Sequence, residues 1–472
     1  MLNRKQTFLL KFAGVAVCLI FALCYSQMEV SISGNEATRF AVIEAVGEQN
    51  VFHINFTQFR SVDRIIRDGK VYSDKPLPLA WSVGILHKII HNFTGLNFKD
   101  NYHLLIYIYN FIAGGLVNAL IFIWLFDQLR RYRKGAVQEK FLIALSAVMG
   151  SWLLSYSVTV NNHTPAALAF LGWFIVLEKF SRKPALSTAV ITGLAAGAVA
   201  AYDLPTGFFT GAVNVFALYF ANRRCWKSAL AGAAGSAAVA IFITGLNYYA
   251  YRTVLPLYIA YGGGTYTPGT GNKNHFGYAF EALLGYRGLF SYQPFLLLAV
   301  PGLWSMRTKL KTPEISALTA SLLCIIFYLV MTNEYGGAAY GFRYLIPVIP
   351  VLWYFAGIWL LEQRSRPVWC IAAVMILWGV VSSLAGAYAP FCLAFEGYRS
   401  PAKHVTRTIR SSFTGNLISW SYERDPDSAL TNALREFYGR ELSGRYLFSS
   451  FMMQKKIEPM AKLAQEKLSA QK

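Results

Sequence analysis

Three charged residues stand at the edges of apolar runs. Glu36 lies in S-G-N-E-A-T-R-F-A (33–41), Lys75 in V-Y-S-D-K-P (71–76) and Arg343 in G-F-R-Y-L-I-P (341–347). A carboxylate within reach of a hydroxyl can act as a general base. A lysine can hold a phosphate as a point charge, and an arginine can grip one with a planar fork of donors. Arg39, Asp63, Tyr72, Asp74, His163 and Tyr340 add charges and hydrogen-bonding groups in the same stretches or at similar boundaries. Asp74 can orient a partner, and His163, in V-N-N-H-T-P, can accept a proton or bind an acceptor. Each also has a plain structural reading. Glu36 can be a helix-end charge, Lys75 part of a solvated turn, His163 part of an ordinary boundary loop, and Arg343 an interface anchor beside aromatic-belt residues Tyr340 and Tyr344.

The elements that must position these groups follow from local pattern. In E-A-T-R-F-A-V-I-E-A-V-G-E, Phe40, Ile43 and Val46 fall on one face, with Arg39 and Glu48 elsewhere. That spacing predicts a short amphipathic helix lying on a membrane, with Asn35 as its N-cap and Glu36 in its first turn. The D-G of D-R-I-I-R-D-G-K-V-Y-S-D-K-P (63–76) predicts a turn. The stretch 79–92 is apolar but short and carries His and Lys, so it is expected to be interfacial or re-entrant. In N-E-Y-G-G-A-A-Y-G-F-R-Y (333–344), glycines and alanines would let backbone approach a ligand, with Arg343 entering the outer end of a span. The Gly- and Tyr-rich stretch 261–276 suits a cover over a polar ligand.

The chain is 55% hydrophobic and only 14% charged over 472 residues, far less charged than a soluble domain. The pattern predicts an all-α, polytopic membrane protein with about eleven spans. These fall near 9–27, 103–126, 141–159, 164–180, 185–202, 205–221, 228–247, 289–305, 314–332, 343–361 and 368–389. The net charge of +20 does not point to nucleic acid, because the basic residues form short clusters between apolar runs. Clusters at 130–134, 178–183, 222–227, 307–311 and 362–366 alternate with connections poor in Lys and Arg, which assigns them and the N-terminus to the cytoplasm. The outer face then carries a first loop (28–102), a second loop (248–288), a short loop near 333–343 and a tail (390–472). Residues 1–390 read as one membrane domain and 391–472 as a tail or small domain. The basic-then-apolar N-terminus reads as an uncleaved first span. None of the six cysteines has metal-type spacing, and no H-E-x-x-H or paired ligand cluster occurs. Asn55, Asn92 and Asn162 match glycan acceptor sequences, a match that matters only in a secretory-pathway host.

Taken in order, N-E-A-T-R-F-A, G-K-V-Y-S-D-K-P, R-G-L-F-S-Y-Q-P and Y-G-G-A-A-Y-G-F-R-Y-L-I-P resemble the bacterial GT-C glycosyltransferases. Relatives of that family include aminoarabinose transferases and protein O-mannosyltransferases. The resemblance covers about residues 1–390 and implies a GT-C-like bundle with interfacial helices in its first loop. It also implies inverting transfer of a sugar from a polyprenyl-phosphate carrier to a lipid, glycan or protein hydroxyl, at the outer face of a bacterial inner membrane. Glu36 matches the first-loop base, and Lys75 and Arg343 match the groups on the carrier phosphate. Relatives often carry an adjacent Asp-Glu pair. Here Glu36 stands at the Asp position and Ala37 at the Glu position, so the paired carboxylates that would support a divalent metal are missing. The motif S-D-K-P-P reads S-D-K-P-L-P (73–78). Two other readings stay open: a non-enzymatic transporter or flippase for lipid-linked sugars, and a scaffold in envelope assembly.

Overall fold

The computed structural model describes residues 4–391 and 411–433, apart from 31–34, 62, 262–273, 309, 333–335, 338, 426 and 430. Residues 262–273 of the expected cover at 261–276 lie outside the described residues, as do part of the 333–344 cluster and most of the 391–472 tail.

The chain is a helical, multi-pass membrane protein. Among the described residues, eight helices are long and apolar enough to cross a membrane: Arg4–Tyr25, Phe98–Arg130, His163–Arg182, Leu204–Ala221, Trp226–Tyr251, Thr312–Met331, Arg343–Glu362 and Arg366–Tyr388. Leu186–Tyr202 and Pro294–Met306 are apolar but shorter. The expected span at 141–159 is not one helix. Val137–Met149 stops at Gly150, and Ser151 caps a short helix, Trp152–Tyr156, by accepting from the Leu153 amide. A Cβ on Gly379 would lie 2.4 Å from the Gly150 carbonyl oxygen, so the Arg366–Tyr388 helix closes tightly on the break.

The two ends of the bundle differ in charge. Lys11 pairs with Asp127 at 2.8 Å, Arg131 with Glu178 at 3.0 Å and Lys134 with Glu362 at 3.3 Å. The basic clusters at 130–134, 178–183 and 362–366 are thus linked at one end, where Lys11 of the N-terminal helix meets Asp127. Such partly exposed pairs contribute about 0–1 kcal/mol each, so they mark the end more than they hold it.

The first loop is a folded unit with its own apolar cluster, which includes Phe40, Ile43, Phe59, Val83, Phe98 and Tyr109. The Ala37–Glu48 helix departs from the expected surface helix: every residue from Ala37 to Gly47 is buried. The reason is a second helix, Leu77–Thr94, which covers it and includes the expected interfacial stretch. Close approach depends on Gly84, where a Cβ would lie 2.9 Å from that of Val46. Phe40 packs 5.6 Å from Phe59 and 6.2 Å from Phe98 between ring centroids. Glu48 and Tyr109 satisfy buried His87 at 2.9 and 2.7 Å. Leu77–Thr94 ends at Gly95 (φ 75°) and is not among the eight long apolar helices. Before it, Arg64–Arg67 and Lys70–Ser73 pair as a hairpin, with Asp68 and Gly69 at φ 50° and 70° in the expected D-G turn. The hairpin delivers Asp74 and Lys75 to the start of Leu77–Thr94.

Candidate active site

At the end of the bundle away from the Lys11–Asp127 and Arg131–Glu178 pairs, the starts of three helices (His163, Leu204 and Arg343) meet the first loop around a pocket. Its walls include Asn35, Arg39, Asp74, Lys75, Asn162, His163, Asp203, Tyr328, Arg343 and Tyr344. Arg39, Asp74, Lys75, His163 and Arg343, five of the residues singled out in the sequence, are thus brought together from four separate stretches.

Arg39 comes from the first turn of Ala37–Glu48. Its Nε donates to Asn162 Oδ1 at 2.8 Å, and its Nη1 donates to the Asn35 carbonyl at 2.7 Å and to the Asn35 side chain. Asn35 therefore serves Arg39 and is not the expected N-cap; Glu36 takes that position without a side-chain capping bond. Burial and the charge of Arg343 push the Arg39 guanidinium down to about 10, against the pull of Asp63, Asp74 and Glu36. It remains a cation at neutral pH.

Lys75 Nζ lies 2.9 Å from Asp63 Oδ2 and 3.1 Å from Asp74 Oδ2. Burial raises the Asp74 carboxyl above the usual range; Lys75 opposes this and Asp63 reinforces it. Arg343, 7% exposed, places its guanidinium 5.7 Å from the ring centre of Tyr344 and 5.5 Å from that of Phe391. The glycines of its motif pack against protein. A Cβ on Gly336 (φ 90°) would lie 3.1 Å from Arg343 Cγ, and one on Gly341 (φ 64°) 2.5 Å from the Trp152 ring.

His163 Nδ1 lies 3.0 Å from Asp203 Oδ2. Asp203 Oδ1 accepts from the Tyr328 hydroxyl at 2.8 Å and from the Thr206 amide at 3.0 Å, so it caps Leu204–Ala221 while facing the pocket. Tyr328 stacks on Tyr344 at 4.9 Å, and His163 meets Tyr344 edge-on at 5.7 Å.

Glu36 is not on the pocket wall, although it follows Asn35, which is. It is 1% exposed and accepts from the Thr159 hydroxyl. The loop carrying Thr159 is held by Asn110 Oδ1, which accepts from the Val160 amide at 2.7 Å. Asn110 immediately precedes a π-helical turn, Phe111–Leu116, in the long Phe98–Arg130 helix. Asp63 and Asp74, which could have supplied Glu36 with an acidic neighbour, both turn to Lys75 instead.

Four expected residues are off the pocket wall: Glu36, Asp63 on Lys75, Tyr72 and Tyr340. Tyr72 packs its ring on Tyr251 at 5.4 Å, behind the hairpin. Tyr340 is a core residue and not a belt aromatic: it is fully buried, and its hydroxyl donates to the Ser382 carbonyl at 2.6 Å. Asn162 is buried on Arg39, which removes it as a glycan acceptor. Sequence reading passed over Asp203, Tyr328, Thr159 and the role of Asn162. Asp203 had a signal, a lone acid between two apolar runs. Tyr328, inside an apolar run, had none. Among the described residues no group of three His, Cys, Asp or Glu side chains is placed to hold a metal.

No protein-family model matches the chain, and no curated protein matches it. Solved structures do. The crystal structure of ArnT from Cupriavidus metallidurans in the apo state matches with a TM-score of 0.52 and 14% identity, over 82% of this chain and 64% of that one. The same protein bound to undecaprenyl phosphate matches with a TM-score of 0.54 and 11% identity, over 94% and 77%. In the first of these matches the chain spans just under two thirds of the length of ArnT. At such identities the likeness is one of fold alone: this chain has the polytopic helical fold of the ArnT structures.

Proposed function

We propose that the chain is a membrane glycosyltransferase that moves a sugar from a polyprenyl-phosphate carrier to an acceptor hydroxyl at the outer face, with inversion. The observation that carries this reading is the convergence of Arg39, Lys75 and Arg343 on one pocket, at the bundle end opposite the basic clusters. Guanidinium forks suit a phosphodiester and gain strength as its charge rises on departure. The ArnT fold, in a structure bound to undecaprenyl phosphate, supports a lipid phosphate as ligand.

In a single displacement, the acceptor oxygen attacks the anomeric carbon as the bond to the phosphate oxygen breaks, through an oxocarbenium-like transition state. Glu36 takes the acceptor proton. In this reading its side chain turns from Thr159 to the acceptor, with Arg39 one turn on as the neighbouring cation. Lys75 and Arg343 hold the departing phosphate. The acceptor is a lipid, glycan or protein hydroxyl, and the setting is the outer face of a bacterial inner membrane.

The test is transfer of labelled sugar from synthetic polyprenyl-phosphate sugar in membranes carrying the protein. Glu36→Gln is expected to abolish transfer while carrier binding persists; undiminished transfer removes Glu36 from the mechanism. Arg343→Ala is expected to weaken carrier binding at least tenfold, about 1.4 kcal/mol. Carrier binding by the wild type without transfer to any acceptor would favour the transporter or scaffold reading.

A further inference from the structure

One pair in the pocket has no part in that mechanism: His163 and Asp203. Both are buried, at 8% and 4% exposure, and both face the pocket. Asp203 is a carboxylate with three donors on it: the Tyr328 hydroxyl and the Thr206 amide on Oδ1, and His163 Nδ1 on Oδ2. A carboxylate only accepts, so the proton of a neutral His163 resides on Nδ1. That leaves Nε2 as a lone-pair acceptor with no partner among the described residues.

This tautomer conflicts with an anion in the pocket. A phosphodiester oxygen is also only an acceptor, so Nε2 in the neutral form repels it. The Asp203 charge repels it too. One added proton on Nε2 removes both conflicts: the imidazolium becomes a donor to the phosphate and neutralises Asp203. The other groups facing His163 set the balance. Burial disfavours the added proton and Arg343 and Arg39 add to that, while Asp203 favours it; Lys75 and Asp74 also line the pocket. Tyr202, Tyr258, Tyr328 and Tyr344 border the pocket as neutral phenols. An entering phosphate offsets the arginines and tips the balance towards protonation.

We infer that His163 is the protonatable member of the phosphate cradle: entry of a phosphodiester carries one proton onto Nε2, which then donates to a non-bridging phosphate oxygen while Asp203 holds Nδ1. The inference rests on the reading that this pocket takes the carrier phosphate. It assigns the pair to the donor phosphate, separate from the acceptor proton given to Glu36.

The sign follows from linkage. The complex holds more protons than the free protein, so affinity falls as pH rises, by up to about tenfold per unit. The probe is farnesyl methyl phosphate, a diester with no proton of its own to lose near neutrality. Calorimetry on the full chain in detergent, in buffers of different ionisation enthalpy, counts protons taken up. The wild type is expected to take up close to one proton, and His163→Gln none, with its affinity flat across pH. Asp203→Asn is expected to reduce the uptake. Binding of the probe by the wild type without proton uptake overturns the inference and needs no variant to read. Uptake that persists in a folded His163→Gln also overturns it. Arg343→Ala separates the two claims: weakened binding there with no proton uptake in the wild type leaves the pocket reading standing, whereas no probe binding, or binding indifferent to Arg343→Ala, overturns both.

Discussion

Lys75 is compromised as a phosphate ligand by the company it keeps. Its ammonium lies about 3 Å from each of two carboxylates, Asp63 and Asp74, so an entering phosphate must share it. Loss of one carboxylate should therefore help the ligand. Asp74→Asn is expected to tighten binding of polyprenyl phosphate about threefold to tenfold, near 1 kcal/mol. Lys75→Ala, which leaves the two acids facing each other, is expected to weaken it by at least as much. Lipid competition measures both, and tighter binding in Lys75→Ala would mean the phosphate sits elsewhere. At this scale the sequence singled out Lys75 and Arg343 as charges beside apolar runs, and the structure brings both to one pocket. The pairing of His163 with Asp203 was not legible, because forty residues separate them and only the antiparallel return of Leu186–Tyr202 brings them together.

The first-loop helix was legible as a helix and misjudged as a surface. Its pattern placed Phe40, Ile43 and Val46 on one face, but small residues at Ala41 and Ala45 let neighbours close over the other. Sequence periodicity reads where apolar residues are, not whether a second element covers the rest. That burial has a measurable consequence at Glu44. Burial raises its carboxyl from 4.5 to about 7, although the Gln58 amide donates to it and opposes the shift. A carboxyl raised by folding favours the fold below its unfolded pKa and loses that advantage as pH rises through the folded value. Stability is therefore expected to fall between about pH 4.5 and 7, by up to about 3 kcal/mol from this residue. Glu44→Gln should flatten that slope and raise the melting temperature at pH 7.5; an unchanged slope would place the titration elsewhere. A second element-scale test concerns the π turn. A Cβ on Gly114 would lie 2.2 Å from the Ser157 carbonyl oxygen. Gly114→Ala is expected to displace the 157–162 loop, which carries Thr159 against Glu36 and Asn162 against Arg39. Transfer should then drop at least tenfold in protein that still folds in detergent; full activity would show that the loop tolerates the shift.

For the whole molecule, what separates the two ends is charge and hydrogen-bonding chemistry. Basic clusters from the N-terminal helix and the 130–134 and 178–183 connections meet acids at one end, while the pocket gathers at the other. The alternation of basic and neutral connections made this polarity readable. The break at Gly150 was not readable, because an apolar run with one glycine and several serines looks continuous. The orientation depends on Leu77–Thr94 remaining on one side of the membrane. It is eighteen residues long, packs its buried face on Ala37–Glu48 and carries His87, Lys88 and His91, which suits a helix docked on a folded loop. Single cysteines in a background free of native cysteines decide the point. Asp68, at the exposed hairpin tip, and Lys134, beyond Phe98–Arg130, are separated by that helix and one clear span. If Leu77–Thr94 docks without crossing, Asp68→Cys reacts with an impermeant maleimide in intact cells, and Lys134→Cys reacts only after permeabilisation. If it crosses, the two positions share a side and label together. Arg39 and Lys75, both before that helix, would then be split from Arg343 and could not share a phosphate with it.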